Sequence, residues 1–113
     1  MLTIENLNYA IGLRIDLDEH GDWECREAIE YQTDFSNQPE MFYRFELDND
    51  DKDYELCIYL NRISDKGGFY TFENNLIGGS DYVPKNHIKD IHNFAEVIAN
   101  YSRKILDEFE KGR

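Results

Sequence analysis

From Met41 to Leu60 the chain reads MFYRFELDNDDKDYELCIYL. Tyr43, Phe45 and Leu47 alternate with Arg44 and Glu46, and Tyr54, Leu56, Ile58 and Leu60 alternate with Glu55, Cys57 and Tyr59. A period of two puts successive side chains on opposite faces of a strand, so each run has one apolar and one polar face. The stretch between them, Asp48-Asn49-Asp50-Asp51-Lys52-Asp53, is too polar to bury and reads as a turn. Two such strands joined by a short polar turn form an antiparallel hairpin with a dry side and a wet side.

The same pattern continues toward the N-terminus. Ile11, Leu13, Ile15 and Leu17 alternate with Gly12, Arg14 and Asp16. Asp18-Glu19-His20-Gly21-Asp22 supplies a turn, and Trp23, Cys25, Ile29 and Tyr31 mark a further strand interrupted at Glu27, as a bulge would interrupt it. A helix over 23–32 capped by Asp22 is the rival reading. Upstream, Thr3 suits the cap of a short helix carrying Ile4, Leu7 and Ile11.

Beyond the hairpin, Lys66-Gly67-Gly68 turns the chain into a strand over Phe69–Glu73, and Asn74–Pro84 reads as mostly loop around Gly78-Gly79. Pro39 closes a polar loop before Met41. The last element has a different period. Ile88, Ile91, Ala95, Ile98, Ser102, Ile105 and Phe109 recur at alternating spacings of three and four, with Asn86 as a suitable N-cap and Lys111-Gly112 as a suitable end. An amphipathic helix of about 25 residues follows, long enough to cover a sheet at ~1.5 Å per residue. The expected fold is α+β: an antiparallel β-meander of about five strands with one face covered by a long C-terminal helix, the 113 residues making a single domain.

Charge is the most informative property. The net charge is −12. Residues 1–60 hold 16 Asp/Glu against 4 Lys/Arg, whereas residues 61–113 hold 8 of each, so the whole excess belongs to the first half. Acidity needed only for solubility has no reason to segregate. Such a chain is repelled by nucleic acid and by anionic lipid, so a partner selected by charge is cationic. No apolar run reaches the ~20 residues that span a bilayer. Two cysteines, no disulfide framework and no secretory signal at the start fit a reduced, cytoplasmic setting.

With the helix on the apolar face, the other face holds Asp16, Glu24, Glu30, Glu46 and Glu55, among Arg14, Arg26, Arg44 and Tyr59. Asp18, Asp48, Asp50 and Asp51 extend the acidity into the turns. These acidic residues and Tyr59 are the expected partner-binding set, and Phe42, Tyr59 and Tyr70 are the aromatics expected to be exposed.

Catalytic and metal-binding readings fare less well. Asp16, Asp18, His20, Gly21, Glu24 and Glu27 match positions 1, 3, 5, 6, 9 and 12 of an EF-hand loop, but His20 replaces an oxygen ligand and the flanks read as strands. His92 and Glu96 share a helical face, yet two ligands make no site. Neither glycine pair precedes a phosphate-binding Lys-Ser/Thr, and no cofactor motif is present. Cys57 between Leu56 and Ile58 reads as a small hydrophobe.

In size and charge the chain is similar to small acidic immunity proteins of bacteria and to phage and bacterial DNA mimics. The expected function is a non-catalytic inhibitor of a basic partner: an immunity protein or antitoxin against a nuclease-type toxin, or a DNA mimic blocking a nucleic-acid-binding protein. The alternatives are a calcium-binding module on Asp16–Glu27 and a subunit of a larger complex.

Overall fold

The computed structural model describes residues 11–32, 39–49, 53–60, 69–84, 87 and 91–112. It is a six-stranded antiparallel sheet and one long helix, so the fold is α+β, with one strand more than the sequence suggests. The strands are β1 (Arg14–Asp16), β2 (Asp22–Gln32), β3 (Pro39–Asp48), β4 (Glu55–Leu60), β5 (Phe69–Asn74) and β6 (Ser80–Pro84), followed by helix α1 (Ile91–Lys111). Their spatial order is their chain order, a plain meander. The expected short helix at Thr3, the cap at Asn86 and the start of the C-terminal helix at Ile88 lie outside the described residues.

The hairpin of β3 and β4 has the expected faces. Tyr43 pairs with Ile58 and Phe45 with Leu56 on one side, and Arg44 pairs with Cys57 and Glu46 with Glu55 on the other. On the inner side Met41, Tyr43, Phe45, Leu56, Ile58, Leu60, Tyr70 and Phe72 are buried. Helix α1 covers them with Phe94, Ile98, Ala99 and Leu106, at the spacing that puts one stripe of a helix on the sheet. Phe94 sits between two tyrosines, its ring 5.6 Å from that of Tyr43 and 5.6 Å from that of Tyr70. Each fully buried side chain of this size contributes roughly 1.5–3 kcal/mol relative to exposure.

Three expectations need correction. The stretch 74–84 is not all loop, because Ser80–Pro84 pairs with β5 from Phe69↔Pro84 to Glu73↔Ser80. As an edge strand β6 is largely exposed, so it lacks the alternation that reveals a half-buried strand. The first strand is shorter than the run 11–17: it spans Arg14–Asp16, with Gly12 and Leu13 still bonded through their backbones to Cys25, and Ile11 is exposed. Pro39 opens β3 instead of closing a loop, a place where its missing N–H is tolerated.

The interruption in β2 is a bulge. Cys25 pairs with Phe45, but Glu27, not Arg26, pairs with Arg44, so one extra residue enters the strand. Beyond the bulge the faces exchange: Ala28 lies opposite the core residue Tyr43, and Ile29 lies opposite Phe42 on the outer face. Ile29 is 48% exposed, not buried as strict alternation from Trp23 implies.

The β1–β2 connection is a single 3-10 turn, Asp18–His20. The Asp18 N–H donates to Asp16 Oδ1 at 2.8 Å, and Gly21 closes the turn at φ 107 and ψ −158. That conformation is essentially restricted to glycine. A Cβ on Gly21 would also lie 3.2 Å from the Asp48 carbonyl oxygen. Gly21→Ala is therefore expected to lower stability by about 1–3 kcal/mol, read as a lower midpoint in urea. An unchanged midpoint would mean that the turn readily adopts another shape.

Candidate functional site: the outer face of the sheet

The meander arranges the outer face in rows that cross the strands. Adjacent strands lie about 4.8 Å apart, and successive rows on one face about 6.7 Å apart. The first row is Asp16–Asp22–Asp48. The second is Arg14–Glu24–Glu46–Glu55. Glu27–Arg44–Cys57–Glu73 form the third. The fourth changes character: Ile29–Phe42–Tyr59–Thr71–Tyr82. The face thus has an acidic half and an apolar, aromatic half.

The acidic half is laced with arginines. Arg14 Nη2 lies 2.8 Å from Asp48 Oδ2 and 3.2 Å from Asp22 Oδ2, and Arg14 Nη1 lies 3.6 Å from Glu24 Oε2. Arg26, the extra residue of the bulge, bridges Glu24 at 3.2 Å and Glu46 at 3.3 Å. Arg44 reaches Glu27 at 3.0 Å and Glu55 at 3.8 Å, and also pairs with Glu46. Each guanidinium offers several donors in a planar fork, which lets one arginine serve several carboxylates. The first three rows hold eight carboxylates (Asp16, Asp22, Glu24, Glu27, Glu46, Asp48, Glu55 and Glu73) against Arg14 and Arg44. With Arg26 added, the balance is −5. The pairing lowers repulsion within the face and leaves a net negative field above it.

Asp48 and Arg44 both carry a clear electrostatic mark. The hydrogen bond and charge of Arg14 hold the Asp48 carboxyl below its ordinary pKa. Hydrogen bonds that it donates to Glu27 and Glu46 hold the Arg44 guanidinium even more firmly protonated than usual. A carboxylate with a depressed folded-state pKa adds stability above its unfolded value of about 3.9, and that contribution is lost as pH falls through the folded value. Asp48→Asn is accordingly expected to flatten the acid limb of a melting-temperature profile below about pH 4 and to leave its shape near neutrality unchanged. An acid limb as steep as that of the parent would contradict the Arg14–Asp48 pairing. The effect is small, because the pair is solvent-exposed.

The structure sorts the expected binding residues. Asp16, Glu24, Glu46, Asp48, Glu55 and Tyr59 share the outer face. Asp18 does not: its Oδ2 lies 3.2 Å from Arg103 Nε of α1, on the helix side. Glu30 stands opposite Met41 in register, off the rows of Glu24 and Glu27, because the bulge shifts it; its side chain lies outside the described residues. Asp50 and Asp51 are outside them too. Tyr70 is not exposed but fully buried under Phe94.

The EF-hand-like stretch is dispersed by the fold. Asp16 caps the turn, Glu24 and Glu27 pair with arginines, and His20 turns under the sheet to the helix. Its Nε2 is 3.1 Å from Asp107 Oδ1 and its Nδ1 is 3.2 Å from Glu110 Oε1. Among the described residues no group of three His, Cys, Asp or Glu is placed to hold a metal ion. Burial raises the thiol pKa of Cys25 to about 11 and that of Cys57 to about 12, so both are protonated at neutral pH and poor nucleophiles.

The sequence places Arg14, Arg26, Arg44, Phe42 and Tyr59 on this face but misses the ion pairs of the arginines and the extension of the aromatic row to Ile29, Thr71 and Tyr82, because both depend on register. The spacing of Phe42 and Tyr59 on opposite flanks of the hairpin is the one available signal; their rings are 5.1 Å apart. Among the described residues no helix is long and apolar enough to cross a membrane. No family model, curated protein or solved structure matches the chain.

Proposed function

We propose that the protein is a non-catalytic inhibitor that docks the outer face of its sheet onto a basic protein and blocks that protein's working surface. The carrying observation is the net charge of −5 gathered on one face by strands β1 to β5. A field of this sign speeds encounter with a cationic surface and disfavours wrong partners. The partner belongs to the class of nuclease-type toxins or nucleic-acid-binding proteins, whose own surfaces are basic because phosphate is their ligand. The corresponding role is immunity or antitoxin protein, or mimic of the nucleic acid. The protonated thiols and the dispersed ligand set favour this over a nucleophilic enzyme or a calcium module.

The test is retention of basic proteins on the immobilised chain at ~0.05 M and ~0.5 M salt, followed by an activity assay of what is retained. One basic protein held at both salts and inhibited stoichiometrically supports the proposal. A diffuse basic set released at high salt, with no inhibition, overturns it.

A further inference from the structure

The fourth row of the outer face has no counterpart in a surface built for charge alone. Ile29, Phe42, Tyr59, Thr71 and Tyr82 lie side by side across five strands, a strip about 19 Å long. Ile29 is 48% exposed and Tyr82 65%, and Phe42 and Tyr59 are half-buried against each other. Exposed large apolar groups are ordinary when scattered, but a contiguous set next to charge is the anatomy of a protein interface. The carboxylates of Glu27 and Glu73 lie one row from the strip, about 7 Å away, and Glu55 lies two rows away along β4, about 13 Å from Tyr59, all on one surface.

Resting on the inhibitor reading above, we infer that the outer face recognises a protein surface on which an apolar or aromatic anchor lies beside an arginine- or lysine-rich cluster. The occupant is argued from complementarity. The carboxylate rows call for cations, and the strip calls for apolar side chains at a fixed distance from them. Arginine is the favoured cation, because its planar fork can enter the existing carboxylate–guanidinium lattice bidentately. A bare phosphate-binding channel matches only half of this face. Arg14, Arg26 and Arg44 partly neutralise the carboxylates, so charge alone does not account for the whole face. The strip contributes affinity that salt does not screen, whereas the carboxylates set the encounter rate.

Two peptide probes of equal positive charge test this: an oligo-arginine peptide, and one in which tryptophans interrupt the arginines. Binding is measured at ~0.15 M salt, with amide shifts mapped over β2 to β5. The expected result is about tenfold tighter binding of the tryptophan-containing peptide, with shifts at Phe42, Tyr59 and Thr71, and loss of that advantage in Phe42→Ser/Tyr59→Ser. Both substitutions are on the outer face, and an unchanged circular dichroism spectrum checks the fold. Equal affinity of the two peptides, with shifts confined to Glu24, Glu46 and Glu55, overturns the apolar anchor and leaves the acidic docking face standing. Binding of neither peptide overturns both.

Discussion

Phe94→Ala is expected to lower the free energy of unfolding by about 3–5 kcal/mol, read by urea denaturation followed by circular dichroism. Phe94 is fully buried and lies between the rings of Tyr43 on β3 and Tyr70 on β5. It thereby joins α1 to two strands that are separated in the sheet by β4. Truncation removes the transfer energy of the ring and leaves a cavity that tyrosines held by sheet pairing cannot easily collapse into. Domains of this kind are stable by only about 5–15 kcal/mol, so this loss is a large part of the total. A loss below about 1 kcal/mol would mean that the helix does not depend on this aromatic stack.

Trp23→Ala is expected to cost a similar amount, about 3–5 kcal/mol, for a reason with two parts. The indole is nearly fully buried at the β1–β2 end of the core, and its Nε1–H donates to the buried Ser102 hydroxyl of α1. Truncation leaves a cavity and takes away a hydrogen bond that crosses from sheet to helix. A double-mutant cycle of Trp23→Phe and Ser102→Ala separates the parts, with an expected coupling of about 1 kcal/mol. Ser102→Ala alone strands the indole N–H and is expected to cost about 1–3 kcal/mol. Additive single effects would place the hydrogen bond outside the folding energetics.

The hairpin of β3 and β4 and the C-terminal helix are legible because each buries one face with an unbroken period, two in Tyr43–Leu60 and about three and a half in Phe94–Leu106. Other features are illegible for physical reasons. An edge strand such as Ser80–Pro84 buries too little to leave a pattern. The bulge at Cys25–Glu27 breaks the alternation without showing in which direction the faces move, so Glu30 and Ile29 are misplaced by period alone. Asp18 and His20 belong to a turn whose side chains meet residues of α1 almost ninety positions away, at Arg103, Asp107 and Glu110. Charge segregation is readable by counting, but its neutralisation by Arg14, Arg26 and Arg44 needs the register.

That register also explains how so acidic a face is compatible with folding. Glu24, Glu46 and Glu55 are direct neighbours across three strands, an arrangement that repels by itself. The bulge makes room for Arg26 between Glu24 and Glu46, and Arg44 serves Glu46 and Glu55 from the next row. The arginines let the carboxylates stand together and leave a residual negative charge on the face.

The most direct test is the association rate of the inhibited basic protein with the parent chain, with Glu46→Lys/Glu55→Lys, and with Glu108→Lys on the exposed side of α1. A docking face on the outer sheet predicts that the double reversal slows association by about tenfold or more at low salt, while Glu108→Lys has a much smaller effect. Equal slowing by both, or no slowing by the double reversal, would place the partner elsewhere on the molecule.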